Sequence, residues 1–232
     1  MKQLSILTAM VASVTFGLFG CSSESADAMS SVSVGDMQEQ MGNANIATLS
    51  VQDAKAHLAR YRHSVVNSWQ FENESSEESD SASVEIDSTL QSEGFAVDAE
   101  VSVEDDSVYT IAAAGVESDG AAWMVQVESG AIVYSWRENS NAAWHKFTTG
   151  KIVSKKDLNN VRVERAKNVV VIFVNGSIVG AFRDDTGASF KVTGKLTIGF
   201  DLKDKGKCHC QNGKVEQLGV ETVDEIEDAP MD

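Results

Sequence analysis

Residues 168–183 read NVVVIFVNGSIVGAFR. Two runs rich in β-branched and aromatic residues, Asn168–Val174 and Ser177–Arg183, flank the dipeptide Asn175-Gly176. A two-residue hairpin turn selects Asn-Gly because both of its central positions take positive φ. The first run is apolar at every position from Val169 to Val174, so it predicts a strand covered on both faces.

The same pattern extends outward from this hairpin. Asp119-Gly120 joins Val108–Glu117 to Ala121–Glu128, and Ser129-Gly130 joins that run to Ala131–Arg137. Further strands are expected at Val84–Leu90, Phe95–Val103, His145–Val153, Asn159–Arg165, Lys191–Gly199 and Lys214–Val223. Phe95, Val97, Ala99 and Val101 alternate with Ala96, Asp98, Glu100 and Ser102, giving one apolar and one largely polar face. Many short strands at turn-punctuated spacing predict an all-β sandwich or barrel. No alternation of strands and helices supports a parallel α/β fold.

The chain has 232 residues and a formal net charge of −16. Such a surface disfavours nucleic acid, whose phosphates need a basic footprint. No repeat of solenoid length is visible. After the N-terminal segment no apolar run is long enough for a membrane-spanning helix.

Residues 1–20 read MKQLSILTAMVASVTFGLFG: one basic residue, Lys2, then an apolar stretch from Leu4 to Leu18. This is the composition of a secretory signal. Its end, Leu18-Phe19-Gly20-Cys21, resembles the lipobox of bacterial lipoproteins, with Phe19 the one departure from the usual small residue. The resemblance implies cleavage before Cys21, lipidation of Cys21 and a membrane partner reached through that anchor. Ser22, in place of the retention-signalling Asp, implies the outer membrane of a Gram-negative envelope, with the domain periplasmic or surface-exposed.

Residues 21–50 are Ser-rich and lack Lys, Arg and aromatic residues, so they are expected to form a disordered tether reaching about 30 Å. Val51, Ala54, Leu58, Tyr61 and Val65 recur at helical steps, which predicts a short helix over 51–66 capped by Ser50 with Asp53 three residues on. A lead-in to residue 68 precedes a sandwich over 69–223. An acidic tail, 224–232, ends the chain. The acidic run 72–80 (Glu72, Glu74, Glu77, Glu78, Asp80) reads as a solvated loop or as oxygen ligands for calcium, without EF-hand spacing.

The stretch from Asn159 to Val223 resembles the second half of a concanavalin A-like or laminin-G-like jelly roll. The residues that carry this are Asn160-Val161-Arg162-Val163-Glu164, Val171–Gly176, Val179-Gly180-Ala181-Phe182 and Gly194-Lys195-Leu196-Thr197-Ile198-Gly199-Phe200. The resemblance implies two packed antiparallel sheets, one often concave. In that superfamily the concave face commonly binds glycans, and some members hydrolyse them.

Candidate chemistry is sparse. Glu85 and Asp87 sit at i and i+2 of a strand, where two carboxylates share one face as glycosidases require. They resemble the start of the laminarinase-type Glu-x-Asp signature, but Leu90 stands where its last acid belongs. No Ser lies in a nucleophile elbow and no Gly-rich phosphate loop precedes a helix. Aromatic residues are the stronger candidates. Tyr134 and Trp136 share a strand face, and Trp144-His145 follows the polar turn Asn139-Ser140-Asn141. With Arg137, Asn141 and His145 as hydrogen-bonding groups, they form either a sugar-binding platform or, for Tyr134 and Trp136, part of the core. Cys208-His209-Cys210 leaves three readings open: a strained local disulfide, free or intermolecular thiols, or a Cu(I) or Zn site.

The function expected is therefore a non-catalytic, envelope-anchored sandwich that binds a poly- or oligosaccharide, with no required cofactor. A glycoside hydrolase with paired acids and a structural or protein-partner lipoprotein are the alternatives.

Overall fold

The computed structural model describes residues 46–71, 82–86, 94–104, 108–115, 121–154, 157–188, 194–203, 207–208 and 213–226. The expected signal segment, Cys21, most of the expected tether, the acidic run 72–80, Asp87 and the Asp119-Gly120 turn lie outside the described residues.

In chain order the elements are β1 (Ile46–Thr48), α1 (Val51–Leu58), β2 (Tyr61–Gln70), β3 (Ala82–Ile86), β4 (Gly94–Val103), β5 (Val108–Gly115), β6 (Ala122–Glu128) and β7 (Ala131–Arg137). They continue with β8 (His145–Lys151), β9 (Asn159–Ala166), β10 (Val169–Val174), β11 (Ser177–Asp184), β12 (Gly194–Ile198), β13 (Phe200–Asp201), β14 (Lys207–Cys208) and β15 (Gly213–Glu225). A seven-stranded sheet runs β1-β11-β10-β9-β4-β15-β2 and a six-stranded sheet runs β3-β12-β5-β6-β7-β8. The short β13 and β14 pair with each other. The expected two-sheet antiparallel jelly-roll sandwich is the observed fold.

The turns obey the dipeptides that announced them. Asn175 and Gly176 have φ of 50° and 77°, and Ser129 and Gly130 have 50° and 82°. The β4 alternation also holds: Phe95, Val97, Ala99 and Val101 are buried in the core, whereas Asp98, Glu100 and Ser102 are only partly covered.

Between the sheets the packing is aromatic. Phe182 of β11 faces Phe147, Trp136 and Tyr134 of the other sheet at ring-centroid distances of 4.5, 5.1 and 6.0 Å. Phe95 stacks on Trp123 at 4.7 Å. An ion pair lies in this interior: Arg165 donates to Asp184 at 2.7 Å and to the Ala188 carbonyl at 2.9 Å. Burial pushes the nearby Tyr134 hydroxyl up to about 12, against the pull of Arg165.

The all-apolar β10 is covered twice. Val170, Ile172 and Val174 face the sandwich core. On the opposite side Val169, Val171 and Ala181 pack with Ala54, and Leu58 and Phe173 lie against them, so α1 is the cover. Ser50 caps α1, accepting the Asp53 N–H at 3.1 Å.

The helix is shorter than its expected 51–66 span. It ends at Leu58, and Tyr61–Gln70 is an edge strand paired with β15. Tyr61 and Val65 continue the helical spacing by coincidence. In the strand they sit opposite Glu225 and Glu221, and Val65 is 75% exposed rather than packed. The sheet thus takes in residues ahead of 69. Ile46–Thr48, expected in the tether, pairs with Phe182–Asp184, and β15 runs two residues into the expected tail.

Candidate functional site

The outer face of the six-stranded sheet is covered by a polar stretch of chain. Trp123, Val125 and Val127 of β6 point into the sandwich, so Met124 and Gln126 point away from it. On β7, Ser135 likewise opposes Tyr134 and Trp136. Met124, Gln126 and Ser135 are nevertheless fully buried. Their cover is the chain at Asp201–Lys203. Gln126 Nε2 donates to Asp201 Oδ2 and Thr110 Oγ1, both at 3.1 Å. The Leu202 N–H points to Met124 Sδ, and Lys203 Nζ donates to Ser135 Oγ at 2.8 Å. Gln126 Oε1 is buried without a hydrogen-bond partner.

Beside this cover lies the corner made by the end of β7, the 138–144 turn and the start of β8. Trp144 is partly buried there. The Arg137 guanidinium stands 5.1 Å from its ring centroid and the Lys203 ammonium 5.7 Å. His145 Nε2 donates to Glu138 Oε1 at 2.8 Å, and its ring stacks on Trp136 at 5.3 Å. Asn141 is exposed in the turn, its backbone N–H held by Asn139 Oδ1 at 2.9 Å. Desolvation lowers the Lys203 pKa, which Asp201 and Glu128 partly offset.

The structure therefore brings together Arg137 and Trp144 of the sequence candidates, with Asn141 exposed in the adjoining turn, whereas His145 turns to the opposite strand face and packs on Trp136. It removes Tyr134 and Trp136. Both are 0% exposed and pack on Phe182 inside the sandwich, because their strand face is the core face. Lys203 was not among the sequence candidates. It follows a two-residue strand in a polar stretch, and no local pattern marks it as meeting Trp144.

A second polar cluster, also absent from the sequence candidates, lies on the outer face of the seven-stranded sheet. Arg162 NH2 donates to Glu221 Oε2 at 2.6 Å and lies 3.5 Å from Glu164 Oε2, while Asp98 Oδ2 is 3.7 Å from NH1. Asn160 donates to Asp98 at 2.7 Å, and His63 meets Glu164 at 2.6 Å. The Arg162 pKa is raised by Glu221, Glu164 and Asp98 against its own desolvation, the largest single influence. These residues come from β2, β4, β9 and β15. The i, i+2 pair Arg162 and Glu164 was the only local signal for the cluster.

Glu85 is exposed on β3, opposite Lys195, and its expected companion Asp87 lies outside the described residues. Lys207–Cys208 forms β14 opposite Phe200–Asp201, whereas His209 and Cys210 lie outside the described residues. Among the described residues no group of three or more His, Cys, Asp or Glu side chains is placed to hold a metal ion. No described helix is long and apolar enough to cross a membrane.

Several solved structures are similar. The carbohydrate-binding module CBM40 of the Ruminococcus gnavus IT-sialidase, bound to α2,3 sialyllactose, is 12% identical with a TM-score of 0.50; the match covers 71% of this chain and 96% of that one. The same module bound to α2,6 sialyllactose is 14% identical at the same TM-score and coverage. The Caenorhabditis elegans galectin LEC-6 is 15% identical with a TM-score of 0.45, over 66% of this chain and 95% of that one. A search of curated protein sequences finds no match. The family described as the concanavalin A-like lectin/glucanases superfamily matches residues 76–218. That match spans more than half of the chain, which therefore belongs to the concanavalin A-like lectin/glucanases superfamily.

Proposed function

We propose that the sandwich binds a glycan without transforming it. The observation that carries this reading is the Trp144 corner: an indole, a guanidinium and an ammonium converge beside the edge strand β8. Sugars offer apolar ring faces and hydroxyls, and such corners answer both. The fold adds support, since the similar sialidase module carries sialyllactose in its solved structures.

The carboxylates favour binding over catalysis. Glu138 and Glu128 are engaged by His145 and Lys146. Glu164 and Glu221 are both tied to Arg162. Attachment to a bacterial outer membrane through a lipid on Cys21 belongs to the same proposal and rests on the Leu18–Cys21 signature.

The test is a tryptophan-fluorescence titration with a panel of poly- and oligosaccharides, with and without calcium. A saturable shift with one glycan class, lost in Trp144→Ala, is expected. Product release from the bound glycan would replace binding with hydrolysis. A flat response across the panel would point to a structural or protein-partner role. Separately, Cys21→Ser is expected to move the protein from the membrane to the soluble fraction.

A further inference from the structure

Two features of the corner bear on what kind of sugar it takes. The first is that the Trp144 ring is not a bare stacking platform. Arg137 and Lys203 both lie over it, at 5.1 and 5.7 Å. An indole in that position holds cations.

The second is that, among the described residues, neither cation is ion-paired, Asp201 and Glu128 acting on Lys203 only from a distance. Among the described residues no carboxylate lies within ion-pairing distance of Arg137 or Lys203, in a chain with 35 acids against 19 bases. Arg137 makes one long hydrogen bond, 3.5 Å to the Ser140 carbonyl, and its Nε is buried without a partner. Among the described residues Lys203 Nζ donates only to the neutral Ser135 hydroxyl. The nearby acids are occupied elsewhere: Glu138 by His145, Glu128 by Lys146, and Asp201 by Gln126 and the Lys203 backbone N–H. By contrast Arg162 on the other sheet is surrounded by Asp98, Glu164 and Glu221. A partly desolvated cation without a counter-ion is costly unless a ligand supplies one.

Building on the glycan reading above, we propose that the Trp144 corner recognises an acidic sugar, with Arg137 and Lys203 binding its carboxylate or sulfate and Trp144 acting as the positioning residue that holds both cations. Hydroxyls beyond the charged group then meet the exposed Asn141 of the adjoining turn. The strongly negative remainder of the surface repels polyanions at range, so the preference is for a short, locally charged determinant rather than a dense polyanion.

The experiment is a calorimetric titration of the full chain with three oligosaccharides of equal length: one neutral, one with a terminal uronic acid and one with a terminal sulfate. Phosphatidylglycerol vesicles form a fourth arm. The expected result is at least tenfold tighter binding of an acidic oligosaccharide than of the neutral one. Arg137→Gln and Lys203→Gln each remove that preference, while Arg137→Lys restores part of it and certifies the fold. Equal affinity for neutral and acidic sugars, unchanged in both Gln variants, overturns the charge inference and leaves glycan binding standing. Absence of binding in all three sugar arms overturns both. Binding of the vesicles alone assigns the cations to a lipid headgroup and overturns the sugar assignment.

Discussion

Arg165 and Asp184 meet at 2.7 Å inside the sandwich, their side chains 2% and 0% exposed. Asp184 also accepts from the Thr186 hydroxyl and N–H. Removing one partner of such a pair strands a buried charge, which costs about 3–5 kcal/mol, whereas replacing both with apolar groups is often nearly neutral. Asp184→Ala is therefore expected to lower urea stability by that amount. The double variant Arg165→Met, Asp184→Leu should recover most of it. A double variant as weak as the single would show that the pair is needed for more than mutual neutralisation.

Arg162 and Glu221 offer a contrast at the surface. Arg162 also serves Glu164, whose side chain is only 3% exposed, while Glu221 is 24% exposed. Arg162→Ala should cost about 2 kcal/mol by leaving Glu164 with His63 alone, and Glu221→Ala less than about 1 kcal/mol. Chemical denaturation of the two variants side by side gives the ranking.

His57 couples α1 to the sheet. Its Nε2 donates to the Ala166 carbonyl at 3.2 Å, and desolvation by burial leaves its pKa below the ordinary 6.5. The folded state thus binds the imidazole proton less readily than the unfolded chain does. This contribution is fully present above the unfolded pKa and is lost as pH falls through the lowered folded one. The slope of stability against pH in the acid range should be shallower in His57→Gln than in the unaltered protein, and equal slopes would remove His57 from the account.

Gln126 ties the Asp201–Lys203 cover to the sheet. Gln126→Leu removes both of its donated bonds and leaves Asp201, 8% exposed, without that partner. A loss of about 1–3 kcal/mol is expected. Faster hydrogen exchange should be concentrated at 199–203, and exchange raised evenly over the whole sheet would contradict the local role.

Gly94 packs its Cα against two carbonyls. A Cβ there would overlap the Arg165 carbonyl oxygen and crowd that of Val223 at 3.1 Å. Gly94→Ala should therefore lower the melting temperature even though it adds apolar surface. An unchanged melting temperature would mean that the backbones of β4, β9 and β15 separate freely at this point.

The elements legible in the sequence were those whose signal is local. The Asn175-Gly176 turn, the Phe95–Val101 alternation and the two-sided apolar run of β10 each read correctly from a few neighbouring residues. The boundary of α1 is not legible in this way because Tyr61 and Val65 keep a helical spacing, and only their pairing with Glu225 and Glu221 of a distant strand decides otherwise. Site residues divide in the same way. Arg137, Trp144 and His145 lie within nine residues of one another and were visible together. Lys203, and the cluster of His63, Asp98, Arg162, Glu164 and Glu221, depend on strand register across the fold, which a single sequence does not display. Tyr134 and Trp136 show the limit of composition: an aromatic strand face serves core and binding surface equally well until its partner sheet is in place.

The position of β15 bears on how the molecule is made. This last strand inserts between β4 and β2, two strands that emerge long before it. Synthesis proceeds from the N-terminus, so the seven-stranded sheet keeps a gap until residues 213–225 are available. Until then Val97, Ala99 and Val101 lack neighbours on one side and β2 has no strand to pair with. Pairing in that sheet is therefore completed only after residues 213–225 are made. A chain threaded through a translocon in extended form meets the same requirement, and loss of the final twenty residues would leave an open, aggregation-prone edge rather than a smaller domain.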